Sequence, residues 1–171
     1  MIRATPDRTE AAEYYFIYID QVPAGDVVAV LEAQAREMAT LFDRVSDEQS
    51  LTRYAADKWS IRQTVAHLND TERLAVFRAF WFARGFDTPL PSFDQNTANA
   101  TAAADERPWR SLVDEFQAIR SATIPFFRHL PADAWDRRGI ASGYPFSVRA
   151  LAYLAAGHVA HHARILRERY L

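Results

Sequence analysis

The chain has 171 residues, of which 49% are hydrophobic and 25% charged, the composition of one ordinary globular domain whose core is large enough to need no cross-links. Lysine and arginine number 20 against 22 acidic residues, giving a formal net charge of −2 and no positive excess to attract a polyanion, so no nucleic-acid partner is expected. Cysteine is absent, which excludes disulfides, thiolate nucleophiles, iron–sulfur clusters and cysteine-rich zinc modules and leaves histidine and carboxylates to ligate any metal.

The start of the sequence, MIRATPDRTEAAE, is polar and mixed in charge, and no run of about eighteen apolar residues follows. Neither a signal peptide nor a membrane span is expected, and the protein is read as cytoplasmic. Tyr14 to Ile19 is aromatic and β-branched, but Thr9 to Glu13 before it favours helix and no partner strand is evident, so a short N-terminal helix packed on the body of the fold is expected.

Four long stretches follow with apolar residues at helical spacing, and almost none alternates with period two, so the class is all-α. The first long helix is predicted from Val27 to Val45, after the Gly25-Asp26 break and cap, with Val27, Val30, Leu31, Met38, Leu41, Phe42 and Val45 along one face. The second opens at Ser60-Ile61-Arg62-Gln63, a capping box, and runs to Arg84, where Gly85 and then Pro89 and Pro91 end it. Gly85 to Ala104 is read as a connection. Its length exceeds the usual link between antiparallel bundle neighbours, so the second and third helices are expected to be parallel or diagonal.

The third helix begins at Pro108, with a core stripe of Leu112, Phe116, Ile119, Thr123, Phe126 and Leu130, and Pro125 is expected to kink it or end it early. Pro131 to Trp135 reads as a helical turn and Gly139 to Pro145 as a loop. Ser147 caps a fourth helix reaching Arg169. The resulting architecture is an all-α four-helix bundle with a long crossover between helices two and three and a short N-terminal helix, in a single domain.

His158, His161 and His162 fall in one turn of the fourth helix. At about 100° per residue, His162 lies about 40° from His158 on the apolar stripe, while His161 lies at its margin. Two imidazoles at i and i+4 can reach one metal ion. The second helix offers a third on the seam Ser60, Thr64, His67, Thr71, Leu74, Arg78 and Trp81, which an antiparallel or crossing pair would bring alongside. Three neutral imidazoles with an open position make a catalytic type of site for zinc or a similar divalent metal. The competing reading is that these are core histidines, each hydrogen-bonded in its own right. His129 and His161 fit that reading as helix-end and margin residues. Arg78 on the seam can anchor an anionic substrate or pair with a structural carboxylate. Ligand motifs for di-iron centres, metalloproteases, phosphate loops and serine-hydrolase elbows are missing.

The sequence resembles the DinB-like superfamily over nearly its whole length. The resemblance rests on Lys58-Trp59-Ser60-Ile61-Arg62, His67-Leu-Asn-Asp70-Thr71-Glu72-Arg73, Pro89-Leu-Pro-Ser-Phe93-Asp94-Gln95, Ala150-Leu-Ala-Tyr153, Gly157-His158-x-x-x-His162 and Arg169-Tyr170. It implies a divalent metal, zinc, nickel or iron, bound by His67, His158 and His162, and a pairing into homodimers. It further implies an open metal position that activates water or a low-molecular-weight thiol on a small-molecule substrate, the chemistry of a hydrolase or a thiol S-transferase. Asp70 and Thr71 are expected to orient the ligands, and Tyr15, Arg78, Asp94 and His161 to line the pocket or support it. Two alternatives stay open: a non-catalytic metal-binding or stress-response bundle, and an interaction protein with ordinary core histidines.

Overall fold

Each long helix begins where a side chain satisfies its first free backbone amides. A computed structural model describes residues 4–171, leaving Met1 to Arg3 of the polar start outside the described residues. A 3-10 turn at Glu13–Tyr15 leads into the short helix α1 (Phe16–Ile19). Asp26 caps α2 (Val27–Phe42), and Ser60 with Gln63 forms a complete capping box on α3 (Ile61–Ala83). Asp94 caps α4 (Gln95–Thr101), α5 spans Trp109–Arg128 after Pro108, and Ser147 caps α6 (Val148–Ile165). Gly85, at φ +83°, supplies the left-handed residue just past α3.

Contacts between named residues fix the directions of the helices. Along α3 and α5, Asn69 meets Leu112, Arg73 meets Glu115 and Glu72 meets Arg120, so the two run parallel. Gln34 on α2 donates to the Ala156 carbonyl and Glu37 pairs with Arg167 beyond α6, which makes α2 and α6 parallel as well. Arg128 to Glu32 and Gln117 to Ala35 set α5 antiparallel to α2, and His67 to His158, with Trp59 to Tyr170 beyond the helix ends, sets α3 antiparallel to α6. Helices two and three of the bundle are thus parallel neighbours and not diagonal. The link between them contains α4 and a 3-10 turn at Ala104–Glu106.

Two apolar clusters fill the bundle. One gathers Ile19, Leu31, Phe82, Phe127, Trp135 and Tyr153, the other Phe42, Ile61, Trp109, Phe116 and Leu166. Between them lies a layer of buried polar side chains, one or more from each long helix: Gln34, His67, Asn69, Glu72, Arg120 and His158. Arg120 donates to Glu72 at 2.7 Å and to Gln34 at 3.2 Å, giving the charge in this layer a counter-charge and a dipole.

Several expectations need correction. The loop at Gly139 to Pro145 is an antiparallel hairpin, β1 (Arg138–Ala141) and β2 (Tyr144–Ser147). Its turn places Ser142 at φ +54° and Gly143 at +80°, both left-handed, as a tight two-residue hairpin requires. On α5 the expected Leu112, Phe116 and Thr123 are buried, but Arg120 and Phe127 are buried in place of the expected Ile119 and Phe126, which are only half-buried. The apolar stripe yields there to the polar layer, which takes a guanidinium at the height where apolar spacing favours isoleucine. α5 passes Pro125 and continues to Arg128, since the exposed proline removes one amide without ending the helix. α2 stops at Phe42, where the chain turns so that the Val45 amide reaches the Phe42 carbonyl. α6 gives way at Leu166 to one wider π turn ending at Tyr170, whose hydroxyl donates to the Trp59 carbonyl at 2.6 Å.

Candidate metal centre

The antiparallel seam of α3 and α6 brings His67, His158 and His162 together, with one ring nitrogen from each within 4.8 Å of the others. Their positions follow from helix geometry. His158 and His162 lie one turn apart on α6, and His67 lies two turns into α3, where the crossing brings it level with them. The Nε2 atoms of His67 and His158 are 3.0 Å apart, and the ring of His162 lies 5.2 Å from that of His67 and 4.6 Å from that of His158. Among the described residues no carboxylate joins this cluster.

Burial sets the protonation state. It pushes His67 down to about 4 and His162 to about 3, and it lowers His158 in the same direction, with the neighbouring imidazoles adding to the effect. All three rings are therefore neutral at pH 7, the form in which imidazole ligates a metal. Thr71 Oγ1 lies 3.4 Å from His67 Nδ1, on the side of the ring away from His158, and Trp59 packs against the same ring with centroids 4.9 Å apart. Tyr18 from α1 meets His158 and His161 edge-on, at 5.3 Å and 5.2 Å. Three neutral ring nitrogens, from two buried histidines and the half-buried His162, with a second partner on one ring fit the donor set of a divalent ion.

Two clefts reach the cluster. One, of about 240 Å³, is lined by Tyr15, Tyr18, His67, Thr71, Arg78 and His158 among others, and runs toward the β1–β2 turn. The second, also about 240 Å³, approaches His162 past Trp59, Thr64, Lys58 and Tyr170.

The structure brings only some of the sequence candidates to this place. Thr71 touches His67, and Tyr15 and Arg78 line the first cleft. His161 stands beside His162 but turns toward Gln21, 3.3 Å from its amide, outside the three-nitrogen group. Asp70 faces Arg73 on the neighbouring surface, 3.8 Å away, and does not reach the histidines. Asp94 is exposed and serves α4 as its cap, with Phe93 and Gln95 on either side lining the cleft in its place. Ser142, which also lines the cleft, has one local signal: Ser-Gly is a turn dipeptide, although its strands are only four residues each.

Comparison with known proteins agrees with this architecture. YfiT from Bacillus subtilis, a probable metal-dependent hydrolase with an unusual four-helix bundle topology, superposes with a TM-score of 0.71 at 18% identity, covering 82% of this chain and 84% of that one. A mycothiol-dependent maleylpyruvate isomerase superposes with a TM-score of 0.70 at 14% identity, covering 85% of this chain and 61% of the isomerase. No curated protein matches the sequence. The model of the DinB superfamily matches residues 30–166, a span that holds all four long helices but for the first turn of α2, together with the three clustered histidines. The chain belongs to the DinB superfamily.

Proposed function

We propose that this protein is a metal-dependent enzyme in which His67, His158 and His162 hold a divalent ion, zinc, nickel or iron, facing a small-molecule substrate. The observation that carries the reading is the meeting of three neutral imidazoles, two buried and one half-buried, where two clefts end, a donor set that leaves a coordination position for an exchangeable ligand. When bound, the ion would supply Lewis acidity, making water or a low-molecular-weight thiol nucleophilic at neutral pH.

The chain's own residues do the rest. The Thr71 hydroxyl can accept a hydrogen bond from His67 Nδ1–H, which fixes the ring with Nε2 toward the cluster. Trp59 packs on the His67 ring and Tyr18 on the His158 ring, adding to the burial that favours the unprotonated nitrogens. Likeness to a probable metal-dependent hydrolase and to a mycothiol-dependent isomerase supports hydrolysis and thiol transfer as the reaction types to screen. A homodimer in the cytoplasm belongs to the same reading; exposed Phe77 and Phe80 on α3 and Phe86 just past it support the pairing, and no helix among the described residues is long and apolar enough to cross a membrane.

The test is metal content by elemental mass spectrometry on untagged protein, beside His67→Ala, His158→Ala and His162→Ala. Near-stoichiometric metal, lost in each variant, is the expected result. Protein that takes up no zinc, nickel or iron on reconstitution overturns the reading.

A further inference from the structure

Three arginines are buried among the described residues: Arg62, Arg78 and Arg120. A buried guanidinium ordinarily brings a carboxylate with it, because an unpaired charge is costly away from water. Arg62 has Asp47 at 2.7 Å and Arg120 has Glu72 at 2.7 Å. Arg78, only 5% exposed, has none among the described residues. Its Nη2 donates to the Pro91 carbonyl at 2.9 Å and to Ser142 Oγ at 2.8 Å, and its Nε is buried without a partner. Among the described residues the ionisable group that acts on it is the Tyr15 phenol, which burial holds in its neutral form.

The two acceptors are held in place by the fold. Ser142 sits in the left-handed region, uncommon for a residue with a side chain, and its amide is tied to the Leu90 carbonyl while the Leu90 amide is tied to Ile140. These neutral dipoles position the guanidinium without cancelling its charge. Arg78 follows His67 by eleven residues, which places it about 20° from His67 around α3 and about 16 Å further along it. Both line the same cleft together with Leu74, Leu154 and Phe93, and among the described residues no other lysine or arginine lines it.

We propose that Arg78 anchors the carboxylate of the substrate, a small organic acid with an apolar middle whose reacting end lies at the histidine cluster. The inference rests on the metal-dependent reading for that reacting end, and adds the class of molecule the cleft selects. A single unbalanced cation matches a monoanion, whereas a phosphate dianion would leave a charge uncompensated.

Cobalt(II)-loaded protein tests this by titration with ω-mercaptocarboxylates of increasing chain length and with the matching mercaptoalcohols, following the thiolate-to-cobalt charge-transfer band. At the best length the acid should bind at least about tenfold more tightly than its alcohol. In Arg78→Gln that advantage should vanish, with cobalt stoichiometry and alcohol affinity unchanged. Equal affinity of acid and alcohol for the unaltered protein, or no binding of either, overturns the proposal without recourse to a variant. So does an advantage that survives Arg78→Gln. Failure to take up about one cobalt per chain is seen before any thiol is added, and it overturns the metal-dependent reading itself.

Discussion

Gly157 lies so close under Tyr18 that a Cβ built on it would stand 2.2 Å from the Tyr18 backbone carbonyl oxygen. The neighbour is backbone on both sides, so no side chain can swing away to make room. α1 can seat on α6 at this point because the residue has no side chain, and that seating presses the Tyr18 ring onto His158 and His161. Gly157→Ala should destabilise the protein by about 1–3 kcal/mol despite alanine's better helix propensity, measured by urea denaturation. A stabilised variant would contradict the close approach.

The polar layer makes a second prediction. Arg120 and Glu72 are both almost wholly buried and paired at 2.7 Å, so removing one leaves the other charged and alone. Arg120→Met or Glu72→Leu should each cost about 3–5 kcal/mol, and the double variant should recover most of that loss. Additive losses in the double-mutant cycle would show that the two do not act as a pair.

Acid should destabilise the metal-free protein over a defined range. Burial lowers His67 and His162 from the ordinary 6.5 to about 4 and about 3, so the unfolded chain takes up their protons before the folded chain does. Their contribution to stability is fully present above about pH 6.5 and is lost as pH falls toward 4 and below. His67 alone should account for about 3 kcal/mol of that loss. Denaturation midpoints should be flat from pH 7 to 8 and fall below 6.5; a flat profile down to pH 4.5 would show that the imidazoles are already charged or exposed.

On the proposed function, Thr71 positions the His67 ring. Thr71→Val keeps the shape of the side chain and removes the oxygen 3.4 Å from Nδ1, so affinity for zinc should fall by about 10-fold or more while stoichiometry is kept. Competition with a chromophoric chelator reads both quantities. Unchanged affinity would remove Thr71 from the support of the centre.

What could be read in the sequence was local in origin. The caps at Asp26, Ser60 and Ser147 and the left-handed Gly85 depend on the few residues around them, and they set the starts of three long helices and the end of one. The meeting of His67 with His158 and His162 was within reach because two of the rings lie one turn apart and the third falls on a readable seam. The hairpin was not, since its strands are four residues long and one contains Pro145, which gives period-two alternation no room. Arg120 escaped notice because its reason for being buried, Glu72, is 48 positions away in the chain. Ser142 was missed with the hairpin, and with it the acceptor that holds Arg78 in the cleft.

The parallel pairings of α3 with α5 and α2 with α6 bear on how the chain folds. An up-and-down bundle can zip together one hairpin at a time, each new helix docking on the one just made. Here α2 does not lie against α3, and the side that would close over it comes from α5 and α6, more than sixty positions later. Loop closure must therefore precede most of the helix–helix contact, which places this bundle among the slower-folding helical proteins. The histidines follow the same order. His67 waits 91 positions for His158, so on the proposed function capture of an ion by all three histidines would report the closing of α6 on α3 and not the formation of either helix alone.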